Sequence, residues 1–232
     1  MRTFLFLATA SAVALTGPAE AASRNFGITD FTKVRVDGPY RVNFTSGVAP
    51  FAKATGSADA LDRVTVEVRG DTLVVQQNKS GWGGYPGENP GPVEVNVGTH
   101  EISDAWVNGT GALLIDRARG LTFSLSVQGS GRAEIAAADA DELKVSLIGT
   151  ASAKLSGTAK KLTVLVRGLS ALDAASLTAT DAAFGTEGAG TIDANVTDEA
   201  TIAASGPAVI RLAGRPTCTL RTGASASVSG CR

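Results

Sequence analysis

Hydrophobic and polar residues alternate along most of this chain, and from Ala105 to Arg232 the alternation itself repeats. Seven glycines mark the repeat: Gly109, Gly129, Gly149, Gly168, Gly188, Gly206 and Gly223, with steps of 20, 20, 19, 20, 18 and 17 residues. Four and two residues before them stand pairs such as Leu125/Val127, Val145/Leu147 and Val164/Val166. Four and six residues after them stand Leu113/Ile115, Ala133/Ile135, Ala153/Leu155, Leu172/Ala174, Ile192/Ala194 and Ile210/Leu212. Period two on both sides of each glycine predicts two short strands per repeat, each with one buried face. A fixed period near twenty residues predicts stacked coils: an all-β parallel β-helix, or solenoid, of about seven coils over 99–232.

Upstream, Thr32–Val36, Tyr40–Phe44, Val64–Val68, Leu73–Gln77 and Val93–Val97 also alternate, separated by Asp37-Gly38-Pro39 and Gly70-Asp71 turns. A glycine- and proline-rich loop, residues 80–92, interrupts them without periodicity. Residues 22–98 therefore read as an antiparallel-leaning β-cap folded onto the first coil, since a bare solenoid end exposes unpaired strand edges. No long helix is expected anywhere in residues 22–232.

Stacked coils place equivalent residues about 4.8 Å apart, so columns of charge should alternate in sign. The fifth position after each glycine reads Leu114, Glu134, Lys154, Asp173, Asp193, Arg211 and Val228. Its single like-charge step, Asp173 to Asp193, lies between Lys154 and Arg211. Bulk in the buried columns also compensates: Ala133 with Ile135 and Ala153 with Leu155 give way to Leu172 with Ala174 and Ile192 with Ala194. That swap keeps core volume roughly constant per coil.

Composition adds that the core is narrow, with aromatics only 5% of the chain. A net charge of −1 without a basic cluster gives no electrostatic case for nucleic acid. Arg2, the apolar run Phe4–Leu15, Pro18 and Ala19-Glu20-Ala21 have the pattern of a secretory signal over residues 1–21, too short to span a bilayer. The expected compartment is periplasmic, cell-surface or extracellular, and no membrane span is expected after the signal. Cys218 and Cys231, 13 residues apart at the last coil, fit it as a structural disulfide closing a degenerate repeat in which Ser225, Ser227 and Ser229 replace core residues. A zinc site would lack partners, because His100 is the only histidine.

Candidate chemistry is sparse. A polysaccharide hydrolase needs two carboxylates flanking a bond, one of them protonated. Asp173 and Asp193 come nearest, but the cations on either side favour ionisation of both. A lyase would need a calcium-binding aspartate cluster with a basic residue, and none stands out; His100 has no nucleophile elbow near it. The glycines of Gly109-Thr-Gly111 and Gly129-Ser-Gly131 are turn residues, not phosphate loops. Neither a catalytic residue, a cofactor site nor a metal site is assigned. Contact residues are sought instead among the aromatics: Trp82 and Tyr85 in the 80–92 loop, and Trp106 on an outward, rather apolar strip with Ser126, Ser146, Leu165, Gly185 and Ala203, beside Ile148. That flat strip is a candidate face for a glycan, an envelope or surface protein, or self-association.

The segments FGITDFTKVRVDGPYRVNFTSG and LDRVTVEVRGDTLVVQ, followed by repeated V-x-G-S/T-G turns, resemble the putative auto-transporter adhesin, head GIN domain family, from about Asn25 to Cys231. The resemblance implies a right-handed β-helical, exported bacterial protein with an adhesin-like role, and it brings no catalytic or binding residues with it. Two function classes follow: a non-enzymatic exported binding module, and, as its rival, a carbohydrate-active β-helix enzyme.

Overall fold

The computed structural model describes residues 22–78, 91–223 and 225–232. The proposed signal and the Trp82/Tyr85 segment lie outside the described residues. The described residues open with strands β1 (Ala22–Phe26), β2 (Lys33–Asp37), β3 (Arg41–Ser46) and β4 (Phe51–Gly56), then a short helix, α1 (Ala58–Asp62). Strands β5 (Val64–Arg69), β6 (Thr72–Gln77), β7 (Glu94–Thr99) and β8 (Asp104–Gly109) follow. The long coils are β9 (Ala112–Gly129), β10 (Arg132–Gly149), β11 (Ser152–Gly168), β12 (Ala171–Gly188) and β13 (Thr191–Ser205). Three short strands end the chain: β14 (Val209–Ala213), β15 (Thr217–Thr222) and β16 (Ser227–Ser229).

Each coil stacks in parallel on the next, as the repeat requires. One face runs through β3, the first parts of β9 to β13, β14 and β16. The other runs through β2, β8, the last parts of β9 to β13, and β15. Followed along the continuous chain from β8 to β15, the solenoid makes about six turns, not seven. The missing turn has a local cause. Gly129 at φ +101° turns the chain, and a Cβ there would sit 2.7 Å from the carbonyl oxygen of Gly109 on the coil before. Gly223 is not left-handed, and β16 behind it has three residues, too few to begin another coil.

Two features of the stack differ from the sequence pattern. Strands β2 and β3, placed by that pattern in the cap segment 22–98, pair in parallel with β8 and β9 and form the first rung. Among the described residues, antiparallel pairing is confined to β1 with β4, β4 with β7, and β5 with β6. The excursion between β3 and β8 thus covers the open end of the rung it leaves. Its helix is capped by the Ser57 hydroxyl, which accepts from the Ala60 N–H at 3.1 Å. Second, the coils have a third, short side: residues 117–120, 137–140, 157–159 and 177–179 stack in register between the two faces. Its inward column is Ala118, Ala138, Gly157 and Leu177.

That third side takes part in the volume compensation. Ile115, Ile135 and Leu155 sit above one another and are followed round the corner by Ala118, Ala138 and Gly157. In the next coil the order inverts to Ala174 and Leu177, both fully buried; after it Ala194 stacks on Ala174, and Val196 fills the corner from the neighbouring column, in register with Ala179. Gly157 carries the tightest of these corners: at φ +113°, a Cβ there would meet the Ala138 carbonyl oxygen at 2.2 Å.

Charged columns follow the anticipated register from Glu134 through Lys154, Asp173 and Asp193 to Arg211, where the next partner is Ser229 and not Val228. A second like-charge step also exists, Asp181 beside Glu199. The hairpin of β5 and β6 is pinned to β2 by Lys33 and Asp71, 2.9 Å apart, and by the Asp71 carbonyl accepting from the Thr32 and Lys33 N–H groups. The hydrogen bond to Lys33 holds the Asp71 carboxyl below the usual carboxylate range, and the same contact raises Lys33.

Candidate functional site

Trp106 points outward from the middle of β8 and is half-buried. Its register partners are Arg35 on β2 and Ser126 on β9, so residues far apart in sequence meet on one flat face. A recess of about 740 Å³ opens beside the indole, lined by Arg35, Thr72, Asn108 and Gln128 with the turn glycines Gly109 and Gly129. Glycine at these two positions lets the chain turn and leaves the rim without side chains.

The polar groups round the recess divide into engaged and free. Asp37 accepts from the Asn108 Nδ2 amide at 2.6 Å and from Arg35 Nε at 3.0 Å. Both donors are thereby fixed, and the Arg35 charge is compensated. Gln128 is exposed and its carboxamide makes no hydrogen bond to any described residue, so it offers a donor and an acceptor. An aromatic face beside oriented amides and hydroxyls is suited to stacking one face of a ring while hydrogen-bonding its edge.

The other sequence candidates do not converge on this place. Trp82 and Tyr85 lie outside the described residues. His100 is exposed, and its carbonyl accepts from the Gly47 N–H at 3.0 Å in the backbone of the cap. Asp173 and Asp193 are direct register partners on the opposite face, over a smaller recess of about 280 Å³. Arg211 grips Asp193 through both carboxylate oxygens, at 2.5 and 2.9 Å, and that hydrogen-bonded contact raises the guanidinium's own pKa. Asp193 is thus a partner in an ion pair. Among the described residues no group of three or more His, Cys, Asp or Glu is arranged to hold a metal ion.

A further recess, about 460 Å³, lies under α1 against Pro39, Tyr40, Ala60, Arg63 and Gln77. Burial pushes the Tyr40 phenol up, and its hydroxyl donates to the Arg63 carbonyl at 3.2 Å. This is a packing contact between the first coil and the helix that covers it. At the other end Cys218 and Cys231 form a disulfide with Cα atoms 5.7 Å apart, and the Arg232 N–H donates to the Pro216 carbonyl. Among the described residues no helix is long and apolar enough to cross a membrane.

Sequence pattern alone identifies Trp106 as outward-facing but misses Arg35 and Thr72, which arrive from β2 and β6. One signal was present. Val36-Asp37-Gly38 has the form of Val107-Asn108-Gly109 and Val127-Gln128-Gly129, and Gly38 shares their left-handed turn at φ +114°.

Three crystal structures share the fold. A putative adhesin from Bacteroides fragilis is 21% identical, with 92% of this chain and 95% of that one covered and a TM-score of 0.78. A putative lipid binding protein from Parabacteroides distasonis is 20% identical, with 91% and 97% covered and a TM-score of 0.71. A putative adhesin from Parabacteroides merdae is 15% identical, with 91% and 96% covered and a TM-score of 0.63. At these identities the likeness concerns the fold alone. No match to a curated protein was found. The profile of the putative auto-transporter adhesin, head GIN domain family matches residues 30–216, which is most of the solenoid and its cap, and the chain belongs to that family.

Proposed function

We propose that the chain is an exported, adhesin-like module that works by binding, and that its contact face is the outer surface around Trp106. The observation that carries this reading is the half-buried indole beside a recess in which Gln128 is uncommitted and the cation Arg35 is already compensated. Such a face offers area and hydrogen bonds without a reactive group. The names of the structural neighbours, putative adhesins and a putative lipid binding protein, also speak of binding and not of catalysis. The signal-like residues 1–21 and the Cys218–Cys231 bridge support an oxidising compartment outside the cytoplasm, where the partner is a glycan or an envelope or surface protein. A polysaccharide-cleaving role finds less support, because the nearest paired carboxylates include Asp193, which Arg211 occupies.

The test is capture of envelope glycans and proteins by the purified chain, compared with the Trp106→Ala variant. Loss of a central aromatic anchor should weaken binding about 30-fold, the effect of a hot-spot truncation near 2 kcal/mol. Undiminished capture by the variant, or release of new reducing ends from polysaccharide by the native chain, would overturn the reading.

A further inference from the structure

The recess beside Trp106 opens onto a column that runs down the stack. Trp106, Ser126, Ser146 and Leu165 are successive register partners on β8, β9, β10 and β11. Ser124, beside Ser126 on β9, faces outward with them. The side chains of Ser124, Ser126, Ser146 and Gln128 make no hydrogen bond to any described residue.

The flanks of this column are charged, yet their charges are spent on one another. Lys33 pairs with Asp71, Arg35 with Asp37, Lys144 with Glu142 and Arg167 with Glu187, each at 2.9 or 3.0 Å. Asp104, next to Lys33 on the same face, accepts from the Ser103 hydroxyl at 2.7 Å and leaves no positive excess. Among the described residues the cations flanking the column are paired, and Lys161, at the far edge of the same face, stands in register between the carboxylates of Glu142 and Asp181, so an anionic ligand would find no positive excess there, whereas an uncharged one would find free hydroxyls and an amide.

We propose that the column is a track for a flat, uncharged glycan lying along the solenoid axis, with its first sugar on Trp106 and one sugar per coil. This rests on the reading of the Trp106 face as the contact surface and adds the ligand class and its direction. Coils repeat about every 4.8 Å, close to the length of one sugar in an extended, equatorially linked glucose or N-acetylglucosamine chain. Such a chain is a ribbon whose C–H face stacks on an indole and whose edges carry hydroxyls. Axially linked chains curl and leave the plane after one or two units. The polar run from Trp106 ends where Leu165 replaces serine, so the track holds about three units, one for each coil it crosses.

The test is calorimetric titration of the chain with cello- and chito-oligosaccharides of one to six units, alongside malto-oligosaccharides of the same lengths. Affinity should rise about tenfold from one unit to three, as one or two neutral hydrogen bonds are added, and then stay level. Malto-oligosaccharides should not show the rise. Ser146→Phe, an exposed-face change with unchanged thermal unfolding, should bring the plateau forward by one unit, and Lys154→Ala on the opposite face should leave it in place. Affinity independent of length, or equal for curled and flat chains, would overturn the track. If neither cello- nor chito-oligosaccharide binds while Trp106→Ala still weakens envelope capture, the contact face stands and the glycan track falls. If the variant captures normally as well, both fall.

Discussion

At the scale of single residues, Thr186 is the exception inside the core. It lies in the inward column with Val166 above and Ala204 below, 2% exposed, and its hydroxyl has no hydrogen-bond partner among the described residues. Ser170, equally buried, is satisfied: its hydroxyl accepts from the Ala151 N–H at 3.2 Å. A buried hydroxyl without a partner costs about 1 to 3 kcal/mol. Thr186→Val keeps the shape and removes that cost, so it should raise unfolding stability by about 1 kcal/mol. The check is a higher urea midpoint with an unchanged slope. That Thr186 points inward is legible from its alternation with Phe184; that its hydroxyl is orphaned is not, because partners on adjacent coils carry no local signal. Trp106 repeats the lesson at the surface, where its own strand is readable and the side chains that shape its recess come from elsewhere.

At the scale of elements, the two long faces of each coil were legible and the third side was not. Strands on the long faces place two or three inward residues in alternation, which a period of two reveals. The corner places only one or two, as at Ala118 or Ala138, and small residues there look like turn composition. Yet this side decides the packing where Leu155 and Gly157 give way to Ala174 and Leu177. Leu177→Ala should open a cavity and cost about 3 kcal/mol. Ala174→Leu alone should overpack the same coil and cost about 1 to 3 kcal/mol. Together they restore the arrangement of the preceding coil, so the double variant should be more stable than the sum of the single losses implies. A double-mutant cycle on denaturation midpoints measures that coupling; strict additivity would mean the two positions do not share volume.

At the scale of the molecule, the two ends of the stack are closed by different means. The first rung is covered by the chain's own excursion, whereas the last, β15 and β16, has few buried residues and is held by Cys218–Cys231. Replacing both cysteines by serine should remove about 3 kcal/mol by the chain-entropy estimate for a loop of this size. Amide hydrogen exchange should then quicken in β15 and β16 and stay unchanged in β9 to β12. The excursion has a separate consequence, which concerns time. Neighbouring coils from β8 onward are joined by about one repeat of chain, but β2 and β3 wait for residues 47–103 before β8 and β9 exist to receive them. Closing a longer loop is slower and entropically dearer, so the stack is best placed to nucleate among β9 to β12. In a chain made from its N-terminus, β6 and β7 can cover one edge each of β2 and β3 early, but the first rung written is among the last to dock on the stack, and until then the other edge of each strand stays open.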